Sequence, residues 1–251
     1  MTHHHQLPYL LSDENIFPDV EYALTDPNGL LAVGGDLSRE RLLHAYQEGI
    51  FPWYSSSEPI IWWSPDPRAV LYLDDLKISR SLAKSLRNRN FEVWLNRDFE
   101  SVLNHCAGKR AYADGTWITD EIQTAYADLH NCGIAHSISV YQDEKLVGGL
   151  YGLSMGKFFF GESMFNKSTD ASKVALCYLV NYLKEHDFLM VDCQVPNSHL
   201  ESLGSINIER KEFIQQLKQW RDWPQPEAMW QPRVLNDCVS ILKSSAPEQS
   251  K

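Results

Sequence analysis

Apolar positions recur along this chain with two different periods, and the switches between them mark out the elements. Residues 146–165, LVGGLYGLSMGKFFFGESMF, read as two apolar runs, 146–153 and 158–165, joined by the Gly-containing turn Ser154-Met155-Gly156-Lys157. That pattern predicts a hairpin deep in a sheet. Alternation places Phe158, Phe160, Glu162 and Met164 on one face of the second strand and Phe159, Gly161, Ser163 and Phe165 on the other. Helical spacing then takes over: Ala171, Val174, Ala175, Tyr178, Leu179 and Tyr182 predict a helix within 170–186, after which 188–195 returns as a strand. In that strand Asp192 and Gln194 leave one face, while Val191, Cys193 and Val195 leave the other.

Upstream, 9–35 is broken by Phe17-Pro18-Asp19, Asp26-Pro27-Asn28-Gly29 and Gly34-Gly35, which predicts a small lobe with little regular sheet. Ser38 can cap a helix over 38–48 with Leu42, Leu43, Ala45 and Tyr46 inside and Gly49 at its end. Strands are expected at 60–63, 69–73, 91–95, 136–141 and 206–208, and helices at 76–88, 98–106 and 210–220. Thr119 can cap a further helix with Ile122, Ala125, Tyr126 and Leu129 inside and Gly133 at its end. The class is α+β, with a small N-terminal α/β lobe (1–62) and a larger domain (63–251) built on a mixed, mostly antiparallel sheet.

Composition adds bounds. At 251 residues, 43% apolar and 22% charged, the chain can bury a substantial core without staples. No apolar run approaches the ~20 residues that span a bilayer, and the start has no basic segment leading into a long apolar one, so the expectation is a cytoplasmic monomer with no membrane partner. Five cysteines without a CxxC pair indicate neither a disulfide framework nor a zinc knuckle, and His3, His4 and His5 are assigned no metal role. A net charge of −10 argues against a protein that coats nucleic acid with its whole surface. The balance reverses locally, because Lys77 to Arg97 holds six basic residues against the single acid Glu92. Of these, Lys77, Arg80, Lys84 and Arg87 fall on one face of the helix expected at 76–88. Such a face is either solvated or a phosphate-docking patch.

Three further features carry chemistry, each with a bland counterpart. Glu162 among phenylalanines is costly to bury unless an Arg or Lys in the core pairs with it or a reaction uses it. Asp192 and Gln194 either satisfy each other at a strand end or line a polar cleft. Trp53, Trp62 and Trp63, set among Pro52, Pro59, Pro65 and Pro67, either seal a joint between lobes or form flat walls on which a nucleobase stacks.

The order of helices, strand meander, helix and strand resembles the GNAT acyltransferase fold. The basic glycine-rich turn with which acyl-CoA users of that fold cradle pyrophosphate is missing, since the corresponding segment is Asn166-Lys167-Ser168-Thr169-Asp170. An acyl-CoA N-acetyltransferase is therefore the weaker enzyme alternative, and a non-catalytic tRNA-binding protein the alternative outside enzymes. The segments PNGLLAVGGDLS (27–38), GIFPWYS (49–55), WWSPDPRAVL (62–71), GTWIT (115–119), LVGGLYG (146–152), FFGESMF (159–165), ASK (171–173) and DCQV (192–195) together resemble the bacterial leucyl/phenylalanyl-tRNA–protein transferases over about 17–233. The resemblance implies transfer of Leu or Phe, and less well Met, from aminoacyl-tRNA to proteins with N-terminal Arg or Lys, without cofactor or metal. It implies Trp53 and Trp117 as walls for the terminal adenosine, and Glu162, Asp192 and Gln194 at the reactive centre. Leu150, Phe159, Leu179 and Val191 would line the aminoacyl pocket, together with Gly161 and Ser163 of the same strand. The helix with Lys77, Arg80, Lys84 and Arg87 would meet tRNA phosphates. Asp192 is left open between a base and an orienting charge.

Overall fold

The computed structural model describes residues 7–12, 15–108, 118–235 and 241–242, and they form an α+β fold on two sheets. The smaller sheet joins four short strands, β1 (Tyr9–Leu11), β2 (Leu30–Gly34), β3 (Phe51–Pro52) and β4 (Ile61–Trp63), in the order β1-β2-β4-β3. The expectation of little regular sheet here is therefore corrected. The strands are two to five residues long, and Leu31 and Ala32 are both fully buried, so no alternation was there to be read. At Gly29 (φ +88°) a Cβ would lie 2.5 Å from Pro65 Cα, so only glycine lets the two loops close on each other. Helix α1 (Arg39–Gln47) starts as expected, with Ser38 Oγ accepting from the Arg41 amide at 3.4 Å.

The larger sheet runs β11-β5-β10-β9-β8-β7-β6-β12, where β5 is Arg68–Tyr72, β6 Glu92–Leu95, β7 Ala135–Gln142, β8 Lys145–Met155, β9 Phe158–Asn166, β10 Met190–Gln194, β11 Ile206–Ile208 and β12 Arg233–Leu235. All its neighbours are antiparallel except β9 and β10. The sheet is thus mixed and mostly antiparallel, as expected for the larger domain. Helices α3 (Phe99–Ala107) and α4 (Asp120–Asn131) share one core with α1 and α7 (Arg210–Trp220), which includes Phe158 and Phe160. Helices α2 (Arg80–Asn88) and α5 (Ala171–Lys184) share the other with Phe159. The one-turn helix α6 (Ser198–Glu201) and the strand β12 were not anticipated; both are too short to carry a period. No helix among the described residues is long and apolar enough to cross a membrane.

Three local departures matter for the site. Tyr151 pairs with Ser163 and Gly152 with Gly161, which leaves Glu162 as the extra residue of a bulge in β9. Alternation flips there: Phe165 packs on the core of Phe158 and Phe160, and Met164 on that of Phe159, the reverse of the even-odd reading. In β10, Asp192 pairs with Val70 and Gln194 with Ala69, so Cys193 is the extra residue and Gln194 takes a left-handed φ of +65°. Val195 accordingly packs on the opposite core from Val191 and Cys193. Finally, α2 begins only at Arg80, capped by Ser79 Oγ, which accepts from the Leu82 amide. Lys77 precedes the helix, with its N–H on Leu203 O, and is not part of its face.

Candidate active site

Strands β9 and β10 pair over only three positions, Phe158–Phe160 against Met190–Asp192. Immediately beyond them each strand bulges, and the two diverge. A parallel pair that parts in mid-sheet leaves a gap that its own backbones cannot fill, and here the gap is a cleft of about 900 Å³. Helices α3 and α5 wall it on the two faces of the sheet, and the Phe51-Pro52-Trp53 segment closes one end.

At the base lies Glu162, 9% exposed. Its Oε1 accepts from Tyr46 OH at 2.7 Å and from Gln194 Nε2 at 2.8 Å, and its Oε2 accepts from Tyr126 OH at 3.1 Å. The two phenol oxygens are themselves 2.5 Å apart. Burial pushes the Glu162 carboxyl up to about 7, against the opposing pull of the two tyrosine hydrogen bonds; the Asp192 charge adds to the rise. Burial, with the Glu162 charge behind it, pushes both phenols well above their ordinary range, so they remain donors at any physiological pH. Of the two readings of Glu162, the pairing with a core Arg or Lys is not found among the described residues: two tyrosines and an amide hold the carboxylate instead.

The cation belongs to Asp192 instead. Arg68 Nε donates to Oδ1 at 2.9 Å and Nη2 to Oδ2 at 2.6 Å, with both side chains essentially fully buried. The guanidinium is completed by Gly49 O at 3.0 Å and is sandwiched by Phe51 and Phe213, whose centroids lie 4.9 and 4.6 Å from Cζ. Asp192 Oδ1 also accepts the Gln194 amide N–H at 2.9 Å. That bond holds Gln194 in its left-handed turn, from which its side chain reaches Glu162. Arg68 sits 124 residues from Asp192, and no spacing in the chain pairs them. Tyr46 and Tyr126 had been read only as apolar-face residues of their helices.

Leu150, Phe159, Leu179 and Val191 are buried and line one cleft wall together with Leu176 and Met164. Gly161 and Ser163 line it too, although Ser163 Oγ turns inward and has no hydrogen-bond partner among the described residues. The three neighbouring tryptophans divide: Trp62 is fully buried with Nε1 on Gly34 O, whereas Trp53 is 44% exposed at the cleft, braced by Trp63 Nε1 donating to its carbonyl at 2.7 Å. Trp117 lies outside the described residues. Arg80, Lys84 and Arg87 are exposed on α2, off the cleft, and Ser85 of that helix donates to Asp170 Oδ2 at 2.7 Å at the start of α5. Asp170 itself stands at the N-cap with φ +65°, putting a carboxylate where a pyrophosphate-binding turn would need bare amides. Among the described residues no cluster of His, Cys, Asp or Glu could hold a metal ion.

The family described as leucyl/phenylalanyl-tRNA protein transferase matches residues 70–218, and its N-terminal domain matches residues 35–66. A leucyl/phenylalanyl-tRNA–protein transferase of Pseudomonas aeruginosa is 55% identical over 218 residues, covering 87% of this chain and 96% of that protein. One from Pseudomonas putida is 54% identical over 224 residues, covering 89% and 99%. Among solved structures, L-PGS from Bacillus licheniformis aligns at 14% identity with a TM-score of 0.38 over 66% of this chain and 53% of that one, a likeness too loose to bear on the site. With more than half of its length matched and this identity to relatives covered almost end to end, the chain belongs to the leucyl/phenylalanyl-tRNA protein transferase family.

Proposed function

We propose that the chain transfers Leu or Phe, and less well Met, from aminoacyl-tRNA to the α-amino group of proteins that begin with Arg or Lys, creating an N-degron. The observation that carries the reading is one cleft holding an apolar pocket beside a carboxyl that changes charge near pH 7. The donor is already an activated ester. The protein therefore has to align amine and carbonyl, take two protons from the incoming ammonium nitrogen and return one to the leaving oxygen.

In this reading the aminoacyl side chain occupies the pocket of Leu150, Phe159, Leu179 and Val191, and the terminal adenosine lies toward Trp53 and Trp117. Gln194 Oε1 accepts no hydrogen bond among the described residues, so it is available to hold the incoming ammonium. Ionised Glu162 takes a proton from that ammonium. The freed amine attacks the ester carbonyl, the carbon–oxygen bond to the ribose breaks, and the proton on Glu162 passes to the leaving 3′ oxygen; the regenerated carboxylate then takes the second proton of the attacking nitrogen as the amide forms and gives it up to solvent. Asp192, with both oxygens on Arg68, acts as an orienting charge for Gln194 rather than as the base. Mixing the protein with radiolabelled Leu-tRNA and a peptide beginning with Arg tests the reading, with label expected in the peptide. Binding of tRNA without labelled peptide would leave only a tRNA-binding protein.

A further inference from the structure

Resting on that reading, we infer that Lys167 is the cleft's phosphate-binding residue, held in place by His105, and that it takes the phosphate next to the terminal adenosine of the donor RNA. Lys167 Nζ lies 2.9 Å from His105 Nε2, and both side chains line the cleft. An ammonium has only donors, so Nε2 of the imidazole is the acceptor and the ring is neutral with its proton on Nδ1. Partial burial, with the adjacent Lys167 charge, holds the His105 imidazole below its ordinary range, which agrees with that tautomer. The ring rests against Phe165, with centroids 4.9 Å apart.

The backbone fixes the other partner. The Lys167 amide N–H donates to Val147 O at 2.7 Å as the chain leaves β9, so the side chain starts from a pinned position. Lys167 makes no ion pair among the described residues, and it is the only Lys or Arg lining the cleft among them. Two of its three N–H donors are left pointing away from His105. A cation held by a neutral acceptor keeps its full charge, unlike one neutralised by a carboxylate, and so suits an anion that comes and goes. The donor proposed for this cleft enters as an adenosine whose 5′ side carries a phosphate.

The test compares two minimal donors with the full-length protein: 3′-phenylalanyl CpA, which has one phosphate, and 3′-phenylalanyl adenosine, which has none. Lys167→Met should raise KM about tenfold for the dinucleotide, the loss of one charge-assisted contact, and change it less than about twofold for the nucleoside, with kcat unchanged for both. His105→Leu should do the same. His105→Gln, which keeps an acceptor for the ammonium, should restore most of the dinucleotide's affinity. Equal losses for both donors, no loss for either, or a glutamine as damaging as the leucine would each overturn the assignment. If the parent protein transfers from neither donor, the functional reading falls and takes this one with it, whereas an active parent with indifferent variants overturns the phosphate site alone.

Discussion

Replacing Glu162 by glutamine tests the centre of the site, because the structure sets both the sign and the size of the effect. A glutamate carboxyl moved from 4.5 to about 7 binds its proton more tightly in the folded chain than in the unfolded one. Stability attached to that proton is therefore complete below about pH 4.5 and is lost as pH rises through about 7. A gap of 2.5 units at ~1.4 kcal/mol each is about 3 kcal/mol, with no large allowance for solvent screening in a residue only 9% exposed. Glu162→Gln removes the titration and keeps the shape. Parent and variant should be nearly equally stable at pH 4.5, and at pH 7.5 the variant should be the more stable by about 3 kcal/mol, roughly 6–12 °C in Tm for a chain of this size. Urea denaturation across that range reads the difference directly. Turnover should move the other way, falling by at least ~10²-fold in the variant, while the parent's kcat rises with pH through about 7. Parallel stability curves for the two proteins would show that Glu162 titrates normally, and retained turnover would remove it as the proton acceptor.

Asp192→Asn and Arg68→Met should each destabilise by ~3–5 kcal/mol by stranding a buried charge, while Arg68→Met with Asp192→Leu should cost clearly less than the two single losses combined. Additivity in denaturant titrations, or an Asp192→Asn protein of normal stability that has lost ~10²-fold in turnover, would make Asp192 a reacting group after all. At Gly161 a Cβ would sit 3.4 Å from Asp192 O and 3.5 Å from Val191 Cγ1, so Gly161→Val should fit the fold but crowd the pocket, hurting Phe transfer more than Leu transfer. Equal losses with both donors would place Gly161 outside the aminoacyl pocket. Arg80→Glu with Lys84→Glu should lower the log–log salt slope of tRNA binding by on the order of two units, and an unchanged slope would make the basic face of α2 merely solvated.

What could be read from the chain was what is local. Ser38 and Thr119 cap their helices through the amides three residues on, and the β8–β9 hairpin turns at Gly156-Lys157 with φ +54° at the glycine, all signals that span a few residues. The bulges at Glu162 and Cys193 were not legible, because an extra residue in a strand leaves composition and length unchanged and shows only in the partner's register. Alternation therefore found Glu162 but misassigned Ser163, Met164 and Phe165 beyond it. Arg68 looked like one more residue of a proline-rich loop, and its pairing with Asp192 is a property of β5 lying beside β10. Tyr46 and Tyr126 were placed correctly as inward residues, yet nothing in a helical period tells a phenol with a partner from one that only packs.

Burial raises the proton affinity of Glu162 against the pull of two tyrosine hydrogen bonds, and the geometry around it shows how both protonation states are held. Three groups, the Tyr46 and Tyr126 hydroxyls and the Glu162 carboxylate, are in mutual hydrogen-bonding contact at 2.5, 2.7 and 3.1 Å. With the carboxylate ionised, the group holds two protons for three contacts, so one pair of oxygens always faces without a proton between them. Protonation closes the ring: the carboxyl donates to Tyr126, Tyr126 to Tyr46, and Tyr46 back to Oε1, while Gln194 Nε2 keeps its own bond to Oε1. The ionised site is thus one proton short, and in the proposed reaction the arriving ammonium supplies it. Because Tyr46 comes from α1, beside the small sheet, and Glu162 from β9 in the large one, the shortage exists only when the two sheets are packed together. Proton uptake at this carboxyl is in that sense a property of the joint between the sheets, and Tyr46→Phe, which removes a donor to the ionised form and keeps the burial, should raise its affinity for the proton further, seen as a kcat–pH profile displaced to higher pH.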